Sequence, residues 1–327
     1  MTTEQAIPVE LTLSTADGYP IAATRYAAKG ALRGHLVMAG ATGVPQGFYP
    51  RFAEFASSEG YAVMTLDYRG IGRSRPASLK EFRMDYLDWG RQDLAAAVDA
   101  MATPDLPLYV VGHSYGGHAF GLLPNHHQVD ALYTFATGAG WHGWMPFAER
   151  LRVMLMWRVF GPVIVRIKGY LAWSWLGMGE DLPVDVYRQW KHWCTFPRYF
   201  SQDPKMVHLT ANFDSVRSPI MACNALDDLW ARPVSRDAFM AGYRNAPVHA
   251  TDKPILTLPA QAWVRSGIWA TSSKTACPCG KVRCNGWSKT GAAPPDCRAK
   301  LHPVQRALRF VANAGRAGPV FFMMAPD

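Results

Sequence analysis

Short, continuous apolar runs recur along the chain, each bounded by Gly, Pro or Asp. They lie at 36–39, 62–66, 108–111, 131–135 and 219–223. Runs this continuous are typical of strands that are buried on both faces, as in a parallel sheet. Helical patterns separate the first four runs, at 51–58, 84–102 and 116–123. The alternation predicts an α/β fold with a mostly parallel central sheet flanked by helices.

The segment 141–205 breaks this alternation. Its helix-prone apolar stretches carry seven tryptophans: Trp141, Trp144, Trp157, Trp173, Trp175, Trp190 and Trp193. The apolar stretch 153–177 is interrupted by Arg158, Pro162 and Arg166, so it is too short for the roughly 20 apolar residues of a membrane span. We therefore expect a helical lid over one end of the sheet. Interfacial membrane contact and plain core packing are the alternatives.

These patterns divide the chain into four parts. We expect residues 1–140 to form the N-terminal part of the core and residues 141–205 the lid. Residues 206–248 complete the core, and residues 249–327 form an atypical tail.

The net charge is unevenly distributed. The whole chain carries +9, but residues 250–327 hold eleven Lys and Arg against three Asp, which is +8 and leaves only +1 for the rest. A basic surface for nucleic acid is therefore not expected on the core. Residues 1–17 have neither a basic run nor a long apolar segment, and the two cysteines of the core, Cys194 and Cys223, are scattered. A cytoplasmic location is the expectation.

The segment Gly112-His113-Ser114-Tyr115-Gly116 matches G-x-S-x-G and lies between a predicted strand and a helix start. This context is typical of a nucleophile elbow, a sharp turn that exposes the serine hydroxyl and needs glycine at its flanks. The motif predicts Ser114 as a nucleophile.

A serine nucleophile needs an oxyanion hole, a base and an orienting acid. The backbone amides of Tyr115, after the nucleophile, and of Ala41, after the first predicted parallel strand, are the expected oxyanion donors. The acid is expected after a later strand, where Asp227 and Asp228 follow the run 219–223. We favour Asp228, with Asp227 as a solvated or capping residue.

The sequence resembles the serine α/β hydrolases over roughly residues 10–245. The turn at 67–74 looks like their D-x-R-G-x-G-x-S motif, and residues 39–43 with 47–49 are similar to a bacterial subgroup of predicted hydrolases, serine-aminopeptidase-like or esterase-like. The resemblance implies Ser114 as nucleophile, an acid at Asp228 and a histidine near the C-terminus on a loop of the form I-G-H-x-G. It also implies that Asp67 and Arg69 are structural turn residues.

The expected histidine base is missing. His249 follows Asp228 too closely, and His302 lies in the atypical tail. His113 and His118 flank Ser114 and are expected to pack or to support the site. His126 and His127 are expected in a surface loop.

A shifted reading frame would account for the missing base. Permitted codons for Gly267, Ile268 and Trp269 spell His-Met in the shifted frame, and extending that frame restores I-G-H-x-G followed by an amphipathic helix. The hypothesis is that the tail is translated out of frame, and the nucleotide sequence decides it. The alternative is a zinc site, with candidate ligands Cys277, Cys279, Cys284, Cys297 and His302. Only one closely spaced cysteine pair is present there, so we expect no metal.

The expected function is cofactor-free hydrolysis of small hydrophobic acyl esters by a serine hydrolase. Without a placed base the chain should be impaired, because losing one triad member costs on the order of 10⁴ in kcat. Amide or peptide hydrolysis and non-catalytic binding of hydrophobic ligands are the alternatives.

Overall fold

A computed structural model describes residues 7–176 and 179–253 of the chain. This part contains one eight-stranded sheet. The strands are β1 (Val9–Ser14), β2 (Pro20–Tyr26), β3 (Gly34–Ala39), β4 (Tyr61–Leu66), β5 (Leu108–His113), β6 (Ala131–Phe135), β7 (Ile220–Ala225) and β8 (Val248–Lys253). Their order across the sheet is β1-β2-β4-β3-β5-β6-β7-β8. β1 pairs with β2, and β2 with β4, in antiparallel fashion, whereas all other pairs are parallel.

The sheet confirms the predicted fold class, and β3 to β7 coincide with the five apolar runs. β1 and β2 were not indicated by the pattern. β1 is the edge strand and has no fully buried residue, whereas β2 lies between β1 and β4 but mixes exposed and buried positions instead of forming a continuous apolar run. β8 includes residues 249–253, the first residues of the predicted tail. The remaining tail, 254–327, lies outside the described residues, together with the shifted-frame hypothesis, the cysteine cluster and His302.

Eight α-helices accompany these strands within the described ranges. They are α1 (Pro50–Ser58), α2 (Ala95–Met101), α3 (Tyr115–Ala119), α4 (Phe147–Leu155), α5 (Gly161–Lys168), α6 (Val184–Trp193), α7 (Val207–Ser215) and α8 (Pro233–Met240). The pattern at 84–102 becomes helical only at Trp89, where a π-helical segment leads into α2. The residues before it form a turn instead, in which Asp85 accepts hydrogen bonds from the backbone amides of Leu87 and Asp88.

The sheet has an apolar core on each face. Along β3, Leu36 and Met38 join the cluster that contains Phe52 of α1, whereas Val37 and Ala39 join the larger cluster on the opposite face. Successive residues of a strand point to opposite faces, so a strand that is apolar throughout is covered on both sides. All six residues of β3 are buried.

The segment 141–205 contains α4, α5 and α6, and it packs onto the larger core through tryptophans. The Trp190 ring lies 5.0 Å from that of Trp157 and 5.4 Å from that of Trp173, centroid to centroid. Trp193 is fully buried and stacks on Tyr86 at 5.7 Å. Most of the tryptophans of this segment are thus used in packing, whereas Trp175 is 64% exposed.

Candidate active site

The candidate residues lie along the edge of the sheet formed by the carboxyl ends of the parallel strands. Ala39 of β3 and Gly112 of β5 are register partners on adjacent strands. Ala41 and Ser114 each follow two residues later, so both emerge from the same edge of the sheet on adjacent strands. The loop with Asp227 and Asp228 follows β7, two strands further along the same sheet.

Ser114 occupies the turn between β5 and α3 with an unusual backbone. Its φ is 50° and its ψ is −107°, a conformation that an L-residue adopts at an energetic cost and that is concentrated at functional sites. Three hydrogen bonds hold the turn: the Ser114 amide donates to Phe135 O at 2.9 Å, and its carbonyl accepts from Gly117 N at 3.0 Å and from Thr137 Oγ1 at 2.9 Å. The serine hydroxyl has no hydrogen-bond partner within residues 7–176 and 179–253.

Glycines are needed on both sides of this turn because the backbone segments touch. A Cβ on Gly112 would lie 2.5 Å from Gly117 N, and one on Gly116 would lie 2.1 Å from the carbonyl oxygen of Ala39. A Cβ on Gly117 would lie 2.2 Å from Thr137 Oγ1. The G-x-S-x-G spacing therefore lets α3 begin directly against β3.

The two expected oxyanion donors differ in their surroundings. The amide of Tyr115 is the first of α3 and has no acceptor within the helix. The amide of Ala41 instead donates to the hydroxyl of Tyr49 at 3.0 Å, and that hydroxyl also lies 2.9 Å from His113 Nδ1. The Ala41 amide therefore already donates to an oxygen, which in this structure is the hydroxyl of Tyr49.

His113 is held as a neutral support. Its ring stacks on Phe135 at 4.5 Å, and burial lowers its pKa to about 4. The Tyr49 oxygen accepts from Ala41, so its own proton can be donated to His113 Nδ1. Sequence reasoning did not assign Tyr49 a role, although the Gly47-Phe48-Tyr49 segment contributed to the family resemblance.

The loop after β7 that carries Asp227 and Asp228, here called the acid loop after its expected role, is braced from within and from α4. Asp228 Oδ1 accepts hydrogen bonds from the amides of Trp230 and Ala231, both at 2.8 Å. Trp230 Nε1 donates to Glu149 of α4 at 2.7 Å. Burial raises the pKa of Asp228, and the nearby Asp227 and Glu149 add to the effect. A positively charged partner at this carboxylate would offset that cost.

A chain of hydrogen bonds joins the acid loop to the serine turn. Thr137 bonds to the Ser114 carbonyl, and its own carbonyl accepts from Asn224 Nδ2 at 3.1 Å. The same Asn224 amide donates to Ala231 O at 2.5 Å. The acid loop and the serine turn are therefore built as one unit.

Three of the histidines that the sequence offers as bases are held elsewhere: His118 and His126 bond to other groups, and His249 lies on a distant strand. His118 Nε2 bonds to Gly138 O at 2.9 Å, inside an aromatic cluster with Tyr199 and Phe239. His126 is buried and bonds to Ser215. His249 lies on β8, where it pairs in register with Met221 of β7. β8 is three strands from β5, which is roughly 14 Å at the usual strand spacing. The arrangement of the sheet thus argues against His249 as the base.

Asp67 and Arg69 make bracing contacts away from Ser114. Asp67 accepts from the Gln46 amide at 2.7 Å and from Gln46 Nε2 at 2.8 Å. Arg69 is buried and pairs with Asp93 and Asp17 at 2.8 and 2.6 Å. Both residues fix the loop after β4.

Two further properties follow from the described residues. Within them, no group of three or more His, Cys, Asp or Glu side chains could hold a metal ion. None of the helices in this part is both long and apolar enough to span a bilayer.

The sequence profile described as "Serine aminopeptidase, S33" matches residues 32–229, more than half of the chain. The chain belongs to this family of α/β hydrolases. The match includes Ala41, Ser114 and both aspartates of the acid loop.

Solved structures show the same fold. A soluble variant of monoglyceride lipase from Saccharomyces cerevisiae, in complex with a substrate analogue, superposes with a TM-score of 0.54 at 13% identity, covering 77% of this chain and 88% of that one. The α/β hydrolase GrgF from Penicillium sp. sh18 superposes with a TM-score of 0.50 at 16% identity, covering 81% and 94%. A comparison with curated proteins finds no match.

Proposed function

We propose that the chain is a serine hydrolase of small hydrophobic acyl esters, with Ser114 as the nucleophile of a nucleophile elbow. The observation that carries this proposal is the strained turn at Ser114, with its unpartnered hydroxyl beside the amides of Tyr115 and Ala41. Strain of this kind persists only where surrounding contacts impose it, and here three hydrogen bonds and three close-packed glycines do so.

In the proposed mechanism, a base takes the Ser114 hydroxyl proton as the oxygen attacks the ester carbonyl carbon, and it gives that proton to the alcohol as the ester C–O bond breaks. Water then attacks the acyl-enzyme with the help of the same base, which releases the acid and restores the serine hydroxyl. The Tyr115 and Ala41 amides hold the oxyanion, which requires the carbonyl oxygen to replace the Tyr49 hydroxyl at Ala41. Asp228 orients the base, with Asp227 as the alternative. No base is assigned to a residue of this chain, so its turnover should be low. A protonated base beside Asp228 would stabilise the buried carboxylate.

The apolar ester is proposed from the tryptophan-rich segment 141–205, which packs against the acid loop through Trp190 and Trp230, 6.1 Å apart between ring centroids. The monoglyceride lipase that shares the fold acts on an ester of this class by its name. The family description favours amide or peptide hydrolysis as the second candidate, so an aminoacyl p-nitroanilide belongs beside the ester in the assay.

The test is hydrolysis of a p-nitrophenyl ester by the full chain and by Ser114→Ala. Turnover should disappear in Ser114→Ala and persist in Ser58→Ala. The second variant is a matched change at an exposed serine, the last residue of α1. Equal rates in the parent chain and Ser114→Ala would refute the proposal.

A further inference from the structure

The lid carries a second apolar face that its packing does not use. From Phe147 to Lys168 the chain is continuously helical, through α4, a π-helical segment and α5, a length of about 33 Å. One face of this helix is buried against the core by Val153, Met156, Trp157 and Ile164. The opposite face would be expected to be polar in a surface helix.

The outward face is instead largely apolar. Seven of its side chains are between 44% and 82% exposed: Phe147, Leu151, Leu155, Val159, Phe160, Val163 and Ile167. Most of them recur every four residues, so they form a stripe along the whole helix rather than scattered contacts. An exposed apolar patch of this extent marks a surface that binds another apolar surface.

Basic residues border the stripe. Arg150, Arg158 and Arg166 are exposed, and each directly precedes an apolar residue of the stripe. None of the three forms an ion pair with a described residue. The acidic residue of this helix, Glu149, is buried and already bonded to Trp230 and Arg152. The exposed charge along the helix is therefore positive.

Residues next to the helix are also basic or aromatic. Lys168 Nζ lies 4.4 Å from the ring centroid of Trp175, whose exposed indole ends the stripe. Between α5 and α6 lies an open groove of about 730 Å³, whose lining includes Arg166 and Lys191. Arg188 also lines the groove and pairs with Asp185 at 3.7 Å. Burial lowers the pKa of Lys191, and the nearby Arg158 adds to the effect. A groove lined by three cations, beside the apolar stripe, suits a phosphate group.

We propose that the helix 147–168 lies on an anionic lipid surface, with its apolar stripe among the acyl chains and the flanking cations on lipid phosphates. The combination of exposed Leu, Val and Phe, bordering Arg and a terminal Trp is that of an interfacial amphipathic helix. A second copy of the chain is the less favoured occupant, because two such faces would bring the unpaired arginines together.

The test is co-sedimentation of the full chain with vesicles of phosphatidylcholine alone or mixed with phosphatidylglycerol. Binding should require phosphatidylglycerol and weaken as salt is added. Arg158→Gln and Arg166→Gln should each weaken binding about fivefold, and together about 25-fold. Leu155→Ser with Phe160→Ser should weaken it at least tenfold.

Val207→Ser is the matched control, since Val207 is 67% exposed but lies on α7, outside the stripe. Its binding should equal that of the parent chain. Equal binding to both kinds of vesicle, or none to either, would overturn the proposal. So would a dimer in lipid-free solution that Leu155→Ser with Phe160→Ser dissociates, since the stripe would then be an interface between protein copies.

Discussion

Gly116→Ala tests whether the turn at Ser114 depends on direct backbone packing. The added Cβ would lie 2.1 Å from Ala39 O and 2.6 Å from Ala39 C, whereas ordinary van der Waals contacts begin at 3.4 Å. Both partners are backbone atoms in a buried strand, so α3 and β3 must separate by more than 1 Å. Overpacking typically costs about 1–3 kcal/mol, and the overlap with backbone atoms places this change at the upper end, about 3 kcal/mol. For a chain of this size, the melting temperature should fall by roughly 6–12 °C.

The matched control is Gly47→Ala, because a Cβ at Gly47 meets no atom within 4 Å. Its stability should stay within about 1 kcal/mol of the parent chain, on the stabilising side. Urea unfolding of the three proteins, followed by circular dichroism, gives the comparison. If Gly116→Ala unfolds at the same urea concentration as Gly47→Ala, α3 and β3 are not in contact as described, and the reasoning about the turn is wrong.

Two further predictions concern buried groups near the serine. Burial lowers the pKa of His118 to about 4 from 6.5, so the unfolded chain binds a proton that the folded chain excludes. This contribution to stability is complete above about pH 6.5 and is lost as the pH falls toward 4. Between about pH 7.5 and 5, the free energy of unfolding of His118→Gln should therefore fall by roughly 2 kcal/mol less than that of the parent chain. The same pH profile in both proteins would contradict this. Tyr49→Phe should destabilise the protein by about 1–3 kcal/mol, because the Ala41 amide and His113 Nδ1 lose their shared partner. Tyr170→Phe should change little, and equal losses in the two variants would show that the Tyr49 hydroxyl contributes nothing.

The sequence was informative where a single local rule determines the structure. β3 to β7 were predictable because strands covered on both faces must be apolar throughout, and the position of Ser114 was predictable because a sharp strand-to-helix turn requires glycines at fixed spacing. β1 escaped prediction because an edge strand needs little apolar character. β2 escaped it because polar residues such as Thr24 and Arg25 interrupt its apolar positions, although it lies inside the sheet.

Contacts between distant segments could not be predicted. The bond from Trp230 to Glu149 joins residues 81 positions apart, and the bond from Tyr49 to His113 joins residues 64 apart. Each depends on where the sheet brings its loops together. The same holds for the apolar stripe on the helix 147–168: the sequence shows apolar residues at helical spacing, but only packing decides which of them remain exposed.

The central claim is that Ser114 forms a covalent acyl-enzyme. Intact-mass measurement of the full chain after incubation with an excess of a p-nitrophenyl ester tests it most directly, with peptide mapping to locate the modification. We predict the addition of one acyl group, located on Ser114 and absent from Ser114→Ala. An acyl group on another residue, or equal labelling of the parent chain and Ser114→Ala, would contradict the assignment.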